Sequence, residues 1–140
     1  MGARKRLAAE ARKEENRTKC VARLVNNTTS PRKARLMADL IRGKNVDYAL
    51  NVLKYSKKES SAKMHTLLLS AIANWQLKNE DKRVEDSNLY IKEIFVDGGS
   101  IMKRLMRAPR GRAFQMKKRS NHITIVLDSK VVENVNQTEK

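Results

Sequence analysis

Apolar residues recur at helical spacing from Pro31 onward. Ala34, Met37, Ala38 and Ile41 fall at i, i+3, i+4 and i+7, which puts them on one buried stripe. Ser30-Pro31 predicts the start, with a capping hydroxyl followed by proline at the first helical position, where its missing N–H costs nothing. Gly43 predicts the stop. Asn45 is expected to cap a second short helix, whose Val46, Ala49, Leu50 and Leu53 repeat the spacing. A third, longer helix is predicted from about Lys57 to Lys78, with Met64, Leu68, Ala71, Ile72 and Trp75 as an ordinary core face.

Strand periodicity brackets these helices. Cys20, Ala22 and Leu24 alternate with Val21, Arg23 and Val25, and Asn26-Asn27-Thr28-Thr29 follows as a turn. Leu89–Asp97 is rich in β-branched and aromatic residues and predicts a second strand, ended by Gly98-Gly99. His122–Leu127 predicts a third, with Ile123, Ile125 and Leu127 on one face. The expected fold is α+β: three helices on a small antiparallel three-stranded sheet, with a long basic β-hairpin protruding from it. Residues 1–19 are expected to be a basic arm, disordered until bound although Leu7–Arg12 could turn helical. Residues 20–128 are expected to form one domain that includes an extended hairpin at 98–121. A polar tail, 129–140, carries no packing signal.

Charge changes this picture most. In 140 residues, Lys and Arg number 31 against 15 Asp and Glu, a formal net charge of +16. Like charges oppose compaction, so the excess is explained most simply by a polyanion that neutralises it in the working state. Aromatic residues make up only 4%, too few for a base-stacking platform, which favours phosphate contacts and shape recognition. No apolar run approaches the ~18–20 residues of a membrane span. The first 19 residues contain no apolar core of a secretory signal, and Arg6 stands where a myristoylation motif needs Ser or Thr. A single Cys20 allows no intrachain disulfide and fits a reducing, cytoplasmic setting.

Two segments exceed what folding requires. Arg32, Lys33 and Arg35 crowd the first turns of the predicted Ser30 helix, where the macrodipole disfavours cations by roughly 0.3–1 kcal/mol each. A helix start with free N–H groups is also a natural phosphate site. Between the last two predicted strands, Ile101–Arg119 carries Lys103, Arg104, Arg107, Arg110, Arg112, Lys117, Lys118 and Arg119 and no acidic residue. Ile101, Met102, Leu105, Met106, Phe114 and Met116 are interspersed, and Pro109 and Gly111 supply a turn. The segment reads as a long hairpin lying inside folded RNA, its guanidinium groups on phosphates and its apolar atoms filling gaps. A flexible basic loop gripping any polyanion is the alternative. No Cys or His pair has metal-ligand spacing and no Gly-rich phosphate loop occurs. No cofactor is expected, and the chain does not read as an enzyme.

With those segments in view, the chain resembles the family of bacterial large-subunit ribosomal protein twenty-two. The resemblance is carried by Ser30-Pro31-Arg32-Lys33-Ala34-Arg35 and Ala38-Asp39-Leu40-Ile41-Arg42-Gly43. Leu67 through Asn74, Ile94-Phe95-Val96-Asp97-Gly98-Gly99, and the run from Lys103-Arg104 through Gly111-Arg112-Ala113 to Lys118-Arg119 and His122-Ile123-Thr124 complete it. It spans about Val21–Asp128 in the family's order. The resemblance implies a structural constituent of the large subunit that binds its ribosomal RNA, supports assembly and touches neighbouring ribosomal proteins. It implies RNA contacts for Arg32, Lys33, Arg35 and Arg42 and for the hairpin cations. It also implies a hairpin threaded toward the nascent-peptide exit tunnel, with Arg110, Gly111 and Arg112 at a tip beside the nascent peptide. Neither a membrane nor a homo-oligomer is expected. The chain departs from the family in several places: Arg107 follows Met106 where a proline is usual, with Pro109 coming later; Trp75 replaces a small residue; the turn before Ser30 is about two residues longer; and the arm Met1–Lys19 and the tail Ser129–Lys140 have no counterpart in the resemblance. A general nucleic-acid chaperone using the same charges without a fixed site, and an RNA-modifying enzyme, are the competing classes.

Overall fold

The computed structural model describes residues 3–80, 83 and 87–129. Its elements run α1 (Ala3–Thr18), β1 (Cys20–Asn27), α2 (Pro31–Ile41), α3 (Val46–Tyr55), α4 (Glu59–Lys78), β2 (Leu89–Arg107) and β3 (Ala113–Ser129). The sheet is antiparallel throughout, in the order β1-β3-β2. The fold is therefore α+β, with four α-helices among the described residues rather than the three expected, because the arm's Ala3–Thr18 forms a helix of its own. Residues 130–140 of the predicted tail lie outside the described residues.

The helical stripes are buried as their spacing requires. Ala34, Met37, Ala38 and Ile41 of α2 are fully buried, as are Met64, Leu68 and Ala71 of α4, with Trp75 close behind. They pack on Ile91, Ile94, Ile123, Ile125 and Leu127 of the sheet. Burying each large aliphatic side chain stabilises by roughly 1.5–3 kcal/mol, so this one face supplies the cohesion. Ser61 Oγ, inside the core, donates to Leu53 O and ties α4 to α3. The opposite sheet face carries half-exposed Val21, Val25 and Phe95.

Local signals were met by different means than expected in three places. Ser30 occupies the N-cap position, but its hydroxyl makes no capping bond, and Asn45 likewise caps α3 without one. The Ser30 carbonyl instead accepts from Ala34 N. Asn26 and Asn27 extend β1 instead of leaving it, with Asn26 in the left-handed region at φ 57°. Gly98-Gly99 does not end β2. The strand continues to Arg107, and the glycine pair falls in an irregularity where the register passes from Gly98↔Asn121 to Ile101↔Arg119. Three steps on β2 match two on β3, the signature of a bulge. A Cβ on Gly99 would sit 2.6 Å from Ser120 Oγ, so any larger residue there would have to push the Ser120 side chain aside.

The outer edge of β2 is not left open. Gly43 N donates to Ile91 O and Ile91 N donates to Lys44 O, each at 3.0 Å. The turn after α2 thus covers part of an edge that would otherwise invite another strand. Gly43 takes φ +71° to make this turn.

Candidate nucleic-acid interface

Beyond the bulge, β2 and β3 pair only with each other, from Ile101↔Arg119 to Arg107↔Ala113. Those seven rungs extend the ribbon by about 20 Å at the usual rise per residue, and every residue from Ser100 to Arg107 and from Pro109 to Arg119 is exposed. At the end, Ala108 N donates to Arg112 O at 3.0 Å, closing the turn predicted from Pro109 and Gly111. Arg110 (φ 62°) and Gly111 (φ +70°) are both left-handed. Glycine adopts that geometry freely, whereas arginine does so at a cost of order 1 kcal/mol.

Register sorts the hairpin side chains into two faces, since directly opposed residues share a face. One face carries Met102, Arg104 and Met106 opposite Lys118, Met116 and Phe114. The other carries Lys103, Leu105 and Arg107 opposite Lys117, Gln115 and Ala113, with Ile101 and Arg119 at its base. The first is a sulfur and aromatic surface edged by two cations, the second a mainly basic one. Lys103 lies directly across from Lys117, an arrangement that destabilises a ribbon. Among the described residues the ion pairs lie on α1, α2, α4 and the β2–β3 body, none on the hairpin. Its cations are therefore mutually repelling and uncompensated within the described chain.

The α2 cations divide by role. Arg32 and Lys33 are exposed in the first turn, which holds no acidic residue and receives no side-chain cap. Their charges and the helix's positive end converge on one spot, as an anion site requires. Arg35 instead reaches the sheet: its Nε and Nη2 donate to Val96 O at 3.2 and 3.0 Å. Arg42 holds Asp39 at 2.6 Å and Ile94 O at 3.3 Å. Both guanidinium groups occupy outer-edge carbonyls of β2, an internal role that sequence gave no reason to expect, because the acceptors are main-chain atoms some 50–60 positions away. Each keeps its charge on the surface.

A buried polar cluster joins the start of α2 to the hairpin root. Asn121 Nδ2 donates to Thr29 O (2.7 Å) and Thr29 Oγ1 (2.9 Å), and Asn27 Nδ2 donates to Asn121 Oδ1 at 3.1 Å. Asn121 pairs with both Gly98 and Asn27 across the sheet. The two basic segments that sequence left separate are thereby fixed side by side. Lys63, not singled out from sequence, joins them through a 3.1 Å bond to Thr28 Oγ1. Only tertiary pairing reveals it, since on α4 alone it is an ordinary polar-face lysine.

Comparison with known proteins agrees with this architecture. The profile of the family described as ribosomal protein L22p/L17e matches residues 22–128. The chain is 57% identical over 129 residues to the large ribosomal subunit protein uL22 of Flavobacterium psychrophilum, covering 92% of this chain and 94% of that one. It is 58% identical over 127 residues to the protein of the same name from Christiangramia forsetii, with 91% and 94% covered. With that of Bacteroides fragilis it shares 54% over 130 residues, covering 93% and 95%.

Proposed function

Since the chain belongs to the ribosomal protein L22p/L17e family and is a structural protein of the large ribosomal subunit, we propose that it binds that subunit's RNA through the hairpin and the start of α2. The observation that carries this reading is the hairpin: eight cations on an exposed two-stranded ribbon with no acidic partner. Such a ribbon repels itself in isolation and gains from being surrounded by phosphates. Lys103, Arg107, Lys117 and Arg119 would meet backbone phosphates on one face. Arg104 and Lys118 would flank the Met102, Met106, Phe114 and Met116 surface as it packs against sugars and base edges. Arg112 and the strained Arg110, with Gly111, form the tip, which in this reading reaches the nascent-peptide exit tunnel and touches the emerging chain. Arg32 and Lys33 would hold a phosphate at the α2 start, while Arg35 and Arg42 present charge alongside while bracing β2. Neighbouring ribosomal proteins complete the surroundings of a monomeric subunit, and residues 20–128 act as one RNA-binding domain.

Ultraviolet crosslinking in intact cells, followed by purification of this chain and sequencing of the attached RNA, tests the reading. Concentrated sites in large-subunit ribosomal RNA are expected, with peptides from 103–119 among those crosslinked. Reads spread over unrelated RNAs without a ribosomal peak would instead mean a general chaperone.

A further inference from the structure

The α1 helix has no purpose inside the described body of the protein. None of its residues is buried, and Leu7, its one large apolar side chain, is 62% exposed. A lone helix of this length is marginal in water, because packing normally supplies most of a helix's stability. Its tethers all lie at the C-terminal end. Lys78 Nζ, from the end of α4, donates to Arg17 O at 2.8 Å and Lys19 O at 2.7 Å, a cation where the helix dipole favours one. Within the helix, Thr18 Oγ1 closes the last turn by donating to Glu15 O.

Five of its six cations are gathered by helical position. Lys5 and Arg12 are seven residues apart, as are Arg6 and Lys13, and Arg17 follows Lys13 by four. These five cations share one side of the helix. The acidic residue nearest them, Glu10, is engaged by Arg6 at 3.7 Å. Ala3, Leu7, Ala8 and Ala11 lie on the other side with Arg4 and Glu15, and Glu14 stands at the boundary. From Lys5 to Arg17 the cationic side runs about 18 Å along the axis, enough to follow several consecutive phosphates of a duplex edge. The helix has no aromatic residue to stack on bases, and one leucine is too little for a membrane-surface helix.

We propose that α1, anchored at its end by Lys78, is a second RNA-docking element whose Lys5–Arg12 and Arg6–Lys13–Arg17 face lies along the phosphate backbone of large-subunit RNA, separately from the hairpin. The occupant is chosen by charge complementarity, and binding is indifferent to base sequence. The inference rests on the RNA-binding reading above.

The test measures binding of the full chain to purified large-subunit ribosomal RNA over a range of KCl concentrations. One variant carries Lys5→Gln, Arg6→Gln, Arg12→Gln, Lys13→Gln and Arg17→Gln; glutamine matches lysine and arginine in helix propensity, and equal helicity by circular dichroism checks that α1 persists. Each lost phosphate contact lowers the log–log salt slope by about 0.9 for a duplex, so three to five contacts lower it by about 3 to 4.5. A charge-preserving variant, Arg6→Lys, Arg12→Lys and Arg17→Lys, should keep the original slope. A hairpin variant, Lys103→Gln, Arg107→Gln, Lys117→Gln and Arg119→Gln, serves as reference. An unchanged slope for the α1 variant beside a lowered slope for the hairpin variant overturns the α1 proposal alone. Unchanged slopes for both overturn the RNA-binding reading with it.

Discussion

Replacing Asn121 by alanine should release the hairpin root from the body. Asn121 is fully buried, and its amide makes three hydrogen bonds, to Thr29 O, Thr29 Oγ1 and Asn27 Nδ2. A net value of about 1 kcal/mol for each neutral bond gives roughly 3 kcal/mol. Thr29 is itself buried at 6% exposure, so its carbonyl loses a partner where water does not replace it, adding about 1–3 kcal/mol. The expected loss is therefore about 4–6 kcal/mol, falling to about 3 kcal/mol where water enters the vacated space and satisfies the Thr29 carbonyl. Urea unfolding followed by circular dichroism measures it, with an unchanged m-value showing that only the native state was affected. A loss below about 1 kcal/mol, within the range of ordinary surface substitutions, would refute the claim that this cluster locks α2's start to the hairpin.

Other perturbations follow from the same geometry. Gly99→Ala places a methyl 2.6 Å from Ser120 Oγ, which is held by its 2.7 Å bond to Ser100 O; a loss of about 1–3 kcal/mol is expected from overpacking, and adding Ser120→Ala should recover part of it in thermal melts. Arg35→Gln removes two bonds to Val96 O and should cost about 1 kcal/mol after discounting for exposure, whereas Arg32→Gln should leave denaturant midpoints unchanged. Arg110→Gly relieves a left-handed arginine and should raise stability slightly or leave it unaltered in the same melts, the gain limited to about 1 kcal/mol by glycine's greater unfolded-state entropy. Burial pushes the Cys20 thiol up, against the lowering by Lys78 and with a further rise from Asp128. Iodoacetamide should therefore label it slowly until denaturant is added. The stability from keeping this thiol protonated is fully present below the ordinary thiol range and lost as pH climbs from there through the raised value of the folded thiol, so melts of the native chain should fall more steeply above the ordinary range than those of Cys20→Ala.

The secondary structure was legible wherever a period and a buried face coincided. Met37 and Ile41 on α2, and Ile123 and Ile125 on β3, could be placed in the core from spacing alone, because burying one face is what makes that helix or strand stable. Charge was equally legible: +16 with an acid-free run at 101–119 points to a polyanion in any conformation. Register was not. Whether Lys103 faces Lys117, and whether Met102 shares a face with Phe114, depends on a one-residue bulge at Gly98–Ile101, where Gly99 packs against Ser120, 21 positions away. The arm shows the limit from the other side. Its composition suggested disorder, yet Ala3–Thr18 is helical, with Lys78 from the far end of the long helix holding its last turn. The chain alone thus determined which segments would be apolar, which would be cationic and roughly where each element would lie, since these depend on neighbours within a few residues. Tertiary structure decided which cations brace the sheet and which stand free, because a guanidinium's partner is set by main-chain atoms that only folding brings within 3 Å.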